Sequence, residues 1–101
     1  MTLSRQSDKP PGPFATRRTK YEIWAEVMEA CVWEARTQTW LMRKIGLKTQ
    51  VLKNALEFLV TAQLIQQIDA PKVGLYEFKT TEKGREALRK YYELVKQYFS
   101  K

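Results

Sequence analysis

The chain has 101 residues, of which 44% are hydrophobic, and its formal net charge is +7. This length and apolar content suit one domain with a modest core, and no run of about 18 apolar residues exists to span a bilayer. With no histidine and a single cysteine, the sequence offers neither a metal site nor a His-based catalytic centre, so we expect no enzyme activity and no cofactor.

The first stretch, residues 1–16, holds three prolines and a glycine between positions 10 and 13 and shows no hydrophobic periodicity. That composition predicts a flexible arm. Arg17 and Arg18 follow it, and basic arms of some helix-turn-helix proteins reach phosphates or the minor groove. Both arginines are therefore candidate DNA contacts, and a solvated tail without a role is the alternative.

The first helix is predicted over residues 19–35. Thr19 and Glu22 have the spacing of a capping box, in which the hydroxyl and the carboxylate satisfy free amides at a helix start. The predicted buried stripe consists of Ile23, Val27, Ala30 and Cys31, with Trp24, Met28 and Trp33 available to widen it. The glutamates on the opposite face are expected to be solvated, since no convergent group accompanies them.

A second helix (residues 39–45), a turn at Gly46 and a third helix (residues 48–60) have the outline of a helix-turn-helix. In the third helix, Leu52, Ala55, Leu56, Leu59 and Val60 recur at helical spacing and predict a buried face. The other face carries Gln50, Lys53, Asn54 and Glu57. The amides of Gln50 and Asn54 can pair with adenine, and Gln50 is the first choice for a base contact. Trp40 is expected to be largely buried against helix 1 or the third helix.

Basic residues without acidic neighbours follow one another across these two helices. Between residues 35 and 56 the sequence has no aspartate or glutamate, and it carries Arg36, Arg43, Lys44, Lys48 and Lys53. Such one-sided charge favours a polyanionic partner. Phosphate contacts are accordingly predicted for Arg43, Lys44, Lys48 and Lys53.

Two short strands are predicted next, at residues 64–68 and 75–80, joined by a loop that contains Pro71 and Gly74. Two strands directly after a helix-turn-helix form a wing. Tyr76 and Phe78 share one face and are expected to pack inward. Lys72 lies at the predicted wing tip, where it either contacts DNA or only makes the loop soluble.

The last helix is predicted to begin after Thr81 and to run to about residue 100. Four of its apolar residues recur at steps of three, four and three positions: Leu88, Tyr91, Val95 and Tyr98. Leu94 and Phe99 broaden this stripe. This heptad-like seam predicts a homodimer. Packing of the stripe onto helix 1 of the same chain and an aromatic platform for single-stranded nucleic acid remain the alternatives.

The order and spacing of these segments resemble the archaeal winged helix-turn-helix family of small basic chromatin-type and regulatory proteins. The residues that carry the resemblance are Arg17, Arg18, 21–23, Val27, Met28, 39–45, Leu47, 56–59, Leu64, Ile65, Tyr76, 81–84, Leu88 and Tyr91. It implies duplex DNA binding by a homodimer whose C-terminal helices form a coiled coil, with DNA contacts from Lys48, Thr49, Gln50 and Lys53.

Two positions depart from that family. Lys48 stands where a capping serine is usual, so either Lys48 contacts a phosphate or Thr49 takes over the cap. Gln63 replaces the glycine that usually ends the third helix, which requires a non-glycine residue in a strained or differently closed turn.

The sequence thus predicts a mainly α protein with a small β-wing, a winged helix-turn-helix. Residues 1–16 are expected to form a basic arm, 17–80 the DNA-binding domain and 81–101 the dimerisation element. We expect binding of double-stranded DNA as a cytoplasmic transcription regulator or nucleoid-associated protein, with no membrane partner. The alternative from another class is a module that binds proteins through the same surfaces.

Overall fold

The computed structural model describes residues 18–69 and 75–99. Within them the elements follow in the order α1 (Lys20–Ala30), β1 (Arg36–Thr37), α2 (Gln38–Ile45), α3 (Thr49–Thr61), β2 (Ile65–Asp69), β3 (Tyr76–Thr80) and α4 (Glu82–Leu94). A π-helical turn, Val95–Phe99, continues α4. The predicted winged helix-turn-helix architecture is confirmed. The predicted arm, Arg17 and Lys72 lie outside the described residues.

Threonine hydroxyls cap helices α1, α2 and α4. Thr19 forms the predicted capping box, since its hydroxyl accepts from the Glu22 amide over 3.1 Å and the Glu22 carboxylate accepts from the Thr19 amide over 2.7 Å. The hydroxyls of Thr37 and Thr81 accept from amides in the first turns of α2 and α4. Each cap satisfies a helix amide that has no carbonyl partner inside the helix.

The turns after α2 and α3 both use the left-handed conformation. Gly46 has φ 77°, where a glycine is unstrained, and it ends α2 as predicted. Gln63 has φ 65° after α3. The amides of Gln63 and Leu64 donate to the carbonyls of Val60 and Leu59, which is the Schellman closure. The predicted strained non-glycine turn at Gln63 is confirmed.

Helix α1 ends at Ala30 and not at residue 35 as predicted. The carbonyl of Cys31 accepts from the Thr80 amide over 3.0 Å, and the carbonyl of Val32 accepts from Lys79 Nζ over 2.7 Å. These carbonyls serve contacts with β3, so the chain leaves the helix before them. Trp33 follows in the loop, where it is 88% exposed, and its expected place in the buried stripe was wrong.

The core lies between α1, α3 and the sheet, with α2 and α4 closing its ends. Its fully buried side chains are Val27, Cys31, Leu41, Leu52, Leu59 and Ile65. Trp40 is only half-buried at its edge, where the Arg36 guanidinium lies 4.0 Å from the centre of its ring. Trp40 packs against the core with part of its surface exposed, so the prediction of a largely buried Trp40 is confirmed only in part.

The sheet has three antiparallel strands in the order β1-β3-β2. In β3, Phe78 pairs with Gln67 of β2 and with Arg36 of β1, and its side chain is buried. Tyr76 points to the same face but is 48% exposed, because it lies at the end of the strand that leads into the wing loop. The inward packing predicted for Tyr76 was therefore wrong. Strand β1 was not predicted.

The predicted dimer seam on α4 consists of a part that packs inside the chain and a part that is exposed. Leu88 is only 5% exposed and belongs to the core of its own chain, and Tyr91 packs partly against that core. Leu88 is thus not free for a dimer contact, which corrects its predicted role and fits the alternative of packing within the chain. Leu94 and Tyr98, one and two turns further on, are 48% and 66% exposed.

Candidate nucleic-acid interface

Helix α3 presents two different faces, as its sequence predicts. Leu52, Ala55, Leu56 and Leu59 are buried, while Val60 is half-buried. On the other side Gln50, Lys53, Asn54 and Glu57 are all exposed. Because α2 and the turn at Gly46 hold the start of α3 at the surface, this polar face is open along its length. An exposed amide-bearing helix of this kind is suited to a DNA major groove.

A recess of about 310 Å³ runs between α3 and the sheet. Its polar lining consists of Gln38, Gln50, Lys53, Asn54, Glu57 and Gln67. The structure thus brings together three of the predicted contact residues, Gln50, Lys53 and Asn54. Gln38 and Gln67 were missed, because their place beside α3 depends on how α2 and β2 pack against it. The sequence feature that could have indicated Gln67 was the pair of consecutive glutamines at positions 66 and 67.

Gln50 and Asn54 are joined by a hydrogen bond. Gln50 Nε2 donates to Asn54 Oδ1 over 2.9 Å, one helical turn apart on the exposed face. One amide proton of Gln50 and one lone pair of the Asn54 carbonyl are therefore engaged with each other. The two amides form a joint polar edge at the mouth of the recess.

The predicted cationic contacts occupy different sides of the helix pair. Lys53 lines the recess, whereas Lys44 lies in a separate depression beside Glu26 and Glu29 of α1. Arg43 and Lys48 are exposed. Lys53 thus shares a surface with the paired amides, and Lys44 faces a region of negative charge.

Lys48 is the N-cap residue of α3, and it has no side-chain oxygen that could accept a bond from the first helix amides. The Thr49 hydroxyl donates to the sulfur of Met42 over 3.6 Å. That contact ties the start of α3 to α2, and Thr49 does not move the helix start. The N-cap residue thus makes no side-chain hydrogen bond to the first amides of α3, and Lys48 itself is exposed.

Arg18 already has partners inside the chain. One terminal nitrogen donates to Glu26 over 2.8 Å and the other donates to the Ile45 carbonyl over 3.0 Å. A DNA phosphate would have to compete with both. Arg18 therefore has a structural role that the sequence did not indicate.

An apolar groove of about 340 Å³ lies between α1 and α3. Trp24 stacks on Phe58 with ring centres 4.1 Å apart, and Tyr21 meets Trp24 edge to face. Phe58 and Tyr21 are 42% and 63% exposed. Asn54 lines both this groove and the recess. Aromatic surface thus borders the polar face of α3.

The end of α4 is joined to α1 by a polar contact. The hydroxyl of Tyr92 donates to the Glu29 carboxylate. Burial raises the pKa of Tyr92, and so does this bond to Glu29, because both disfavour the phenolate. The contact holds the C-terminal end of α4 against α1, and the π-helical turn Val95–Phe99 follows it.

Comparison with known proteins agrees with this architecture. The sequence profile described as "Winged helix-turn-helix" matches residues 17–98. The chain belongs to the winged helix-turn-helix family. No curated protein sequence matches the chain. Among the described residues, no helix is both long and apolar enough to cross a bilayer.

Two solved structures of regulators share the fold. A cysteine-to-serine mutant of MarR from E. coli, crystallised with operator DNA, superposes with a TM-score of 0.65 at 17% identity, over 85% of this chain and 60% of that one. The adhesin competence repressor AdcR from Streptococcus pyogenes gives a TM-score of 0.50 at 15% identity, over 86% and 72% of the two chains. The chain thus spans about three fifths of the length of the MarR chain. Identities this low establish the likeness of fold alone.

Proposed function

We propose that this protein binds double-stranded DNA as a homodimer and acts as a transcription regulator or nucleoid-associated protein, as in the archaeal family that its sequence resembles. The observation that carries the proposal is the polar face of α3, on which Gln50, Lys53 and Asn54 lie exposed beside one recess. In this assignment α3 enters the major groove and the wing flanks it. Residues 17–80 form the DNA-binding part, with Arg17 and Lys72 as further contacts.

Charge supports a nucleic acid as the partner. Arg43, Lys48 and Lys53 are exposed along a stretch of α2 and α3 that contains no acidic residue before Glu57. Exposed cations without acidic neighbours favour a polyanionic partner. The likeness of fold to MarR, whose structure was determined with operator DNA, also supports the proposal. Glu26 and Glu29 of α1 line the separate depression beside Lys44 and not the recess.

The homodimer is proposed from the end of α4. Leu94 and Tyr98 expose apolar side chains four residues apart, beyond the part of α4 that closes the core. A second copy of the same helix would remove both from water. Val95 is half-buried and lies between them. The dimer assigned here uses this terminal stretch and leaves Leu88 to the core.

The test of DNA binding is a titration of a fluorescent duplex at about 50 and 200 mM salt. A dimer with about six phosphate contacts loses roughly 10³-fold in affinity over this range, because bound phosphates release their counterions. Affinity that stays constant with salt, or no binding at the lower salt concentration, contradicts the proposal.

A protein-binding role is the second candidate, and the aromatic groove between α1 and α3 favours it. Val51 and Phe58 of α3 line this groove with exposed apolar surface, and the exposed ring of Tyr21 lies against Trp24. Aromatic side chains are enriched at protein interfaces. A Phe58→Ala variant separates the two roles. Under the DNA-binding proposal it keeps duplex affinity within about twofold of the parent.

A further inference from the structure

The hydrogen bond between Gln50 and Asn54 has a chemical consequence for base recognition. Gln50 Nε2 and Asn54 Oδ1 are 2.9 Å apart, and both residues are exposed and line the recess. The bond leaves Gln50 Oε1 as an acceptor and Asn54 Nδ2 as a donor. The pair therefore offers an incoming group one acceptor from one residue and one donor from the other.

Adenine carries the complement of this edge. In the major groove adenine presents the N6 amino donor and the N7 acceptor, whereas guanine presents two acceptors, cytosine one donor, and thymine one acceptor with a methyl group. Among the four bases, only adenine has both a donor and an acceptor on its own major-groove edge. The joint edge of Gln50 and Asn54 thus matches adenine and no other single base.

The surroundings hold the pair in place. Leu56 and Phe78 form the buried floor of the recess, and Gln38 and Gln67 line its far side. Because the two amides restrain each other before DNA arrives, less side-chain freedom is lost on binding than for two independent residues. Removing either residue also frees the other from its restraint.

We propose that Gln50 and Asn54 act as a single reading unit for adenine, in which Gln50 Oε1 accepts from N6 and Asn54 Nδ2 donates to N7. The assignment rests on the proposed binding of duplex DNA and adds a base preference and a coupling between two residues. Lys53, on the same recess, contacts phosphate and does not take part in reading the base.

The experiment begins with selection of preferred duplexes from a randomised library of about 20 base pairs by the full chain. Affinities are then measured for one enriched duplex and for the same duplex with its enriched A·T pair replaced by G·C. The proteins compared are the parent, Gln50→Ala, Asn54→Ala, the double variant and Gln66→Ala. Gln66 is a matched control, because it is an exposed amide outside the recess. Melting curves establish that each variant is folded.

The parent is expected to prefer the A·T duplex by about 5- to 150-fold, the range of one good bidentate pair. Each single variant should lose most of this preference, and the double variant should lose no more than either single variant. Gln66→Ala keeps the parent's preference. In a duplex with 7-deazaadenine at this position, the parent should lose affinity and Asn54→Ala should lose none.

Three results overturn the reading unit while leaving DNA binding intact: no adenine among the enriched positions, multiplicative losses in the double variant, or a 7-deazaadenine effect that persists in Asn54→Ala. A parent that binds no duplex even at low salt overturns the proposed function itself. The two failures are therefore distinguishable, since only the second abolishes binding to the random library.

Discussion

Arg18 donates a hydrogen bond to the backbone carbonyl of Ile45 over 3.0 Å, while its second terminal nitrogen pairs with Glu26. The residue that precedes the N-cap of α1 is thereby joined to the last residue of α2, directly ahead of the turn at Gly46. Since this turn sets the direction of α3, the bond from Arg18 to Ile45 helps to fix the position of the proposed recognition helix.

Replacing Arg18 with alanine should lower the free energy of unfolding by about 1 kcal/mol, since a partly exposed ion pair and one hydrogen bond to a carbonyl are lost. Urea denaturation measures the change. Arg43→Ala, which removes an exposed guanidinium from α2, is the control and should change stability by less than about 0.5 kcal/mol. Equal stability of Arg18→Ala and the parent, together with a loss of duplex affinity, would assign Arg18 to the DNA instead.

Gly84 lies in the first turns of α4 where the helix passes the end of α3. A Cβ atom at this position would lie 2.2 Å from the Leu64 carbonyl oxygen and 2.6 Å from a Thr80 methyl group. Alanine is the better helix former by about 1 kcal/mol at exposed sites. Gly84→Ala should nevertheless destabilise the protein by about 1–3 kcal/mol, because backbone must move to admit the methyl group.

Thermal melts of Gly84→Ala and of Lys90→Ala test this expectation. Lys90 is exposed on the same helix, so its replacement should leave the melting temperature within a few degrees of the parent. A Gly84→Ala protein that melts at or above the parent's melting temperature would show that α4 can shift away from Leu64 without a loss of stability.

Local patterns predicted those elements that depend on local interactions. The capping box at Thr19, the glycine turn at Gly46 and the two faces of α3 follow from residue types a few positions apart. The sequence-based predictions were wrong where the structure depends on contacts between residues far apart in the sequence. Helix α1 stops at Ala30 because Thr80 and Lys79, from a distant part of the sequence, bind the carbonyls that follow it.

The candidate site was predictable to a similar degree. Gln50, Lys53 and Asn54 were found because helical periodicity separates them from the buried face of α3. Gln38 and Gln67 were missed, since only the packing of α2 and the register of β2 on β3 bring them to the same recess. The hydrogen bond between Arg18 and Ile45 joins residues 27 positions apart, and no periodic pattern in the sequence indicates it.

Cys31 makes stability depend on pH in the alkaline range. Burial of the thiol raises its pKa from 9.0 to about 12 in the folded chain, although Arg36 and Lys79 partly oppose the shift. The folded state therefore favours the neutral thiol. Its contribution is complete below about pH 9 and is lost as the pH rises from about 9 towards about 12, because the unfolded chain ionises first.

Urea denaturation at about pH 8 and pH 10, in the presence of a reductant, measures this contribution. The parent should lose about 1.4 kcal/mol more than Cys31→Ala between these pH values, since only the parent carries the thiol. Tyrosine and lysine titrations are common to both proteins and cancel in the difference. Identical losses in the two proteins would mean that the Cys31 thiol ionises as readily in the folded chain as in the unfolded one.

The proposed dimer is tested at the exposed end of α4. Lysine at both Leu94 and Tyr98 would place like charges in an apolar contact, which is strongly unfavourable. Sedimentation should show the parent at twice the monomer mass and this double variant at the monomer mass with its helical spectrum kept. Gln97→Lys adds a charge at a neighbouring exposed position and should remain dimeric. A parent that is monomeric at micromolar concentration contradicts the dimer.

The proposed position of α3 against the phosphates of duplex DNA is tested most directly by the salt dependence of binding in Lys53→Ala. Log affinity for a random duplex is measured against log salt concentration for the parent, Lys53→Ala and Lys96→Ala, the last an exposed lysine in the turn after α4. Lys53→Ala should weaken binding and lower the slope by about 1 for each lysine removed from a phosphate, while Lys96→Ala should match the parent. An unchanged slope and affinity in Lys53→Ala would contradict it, since α3 would then not be at the DNA.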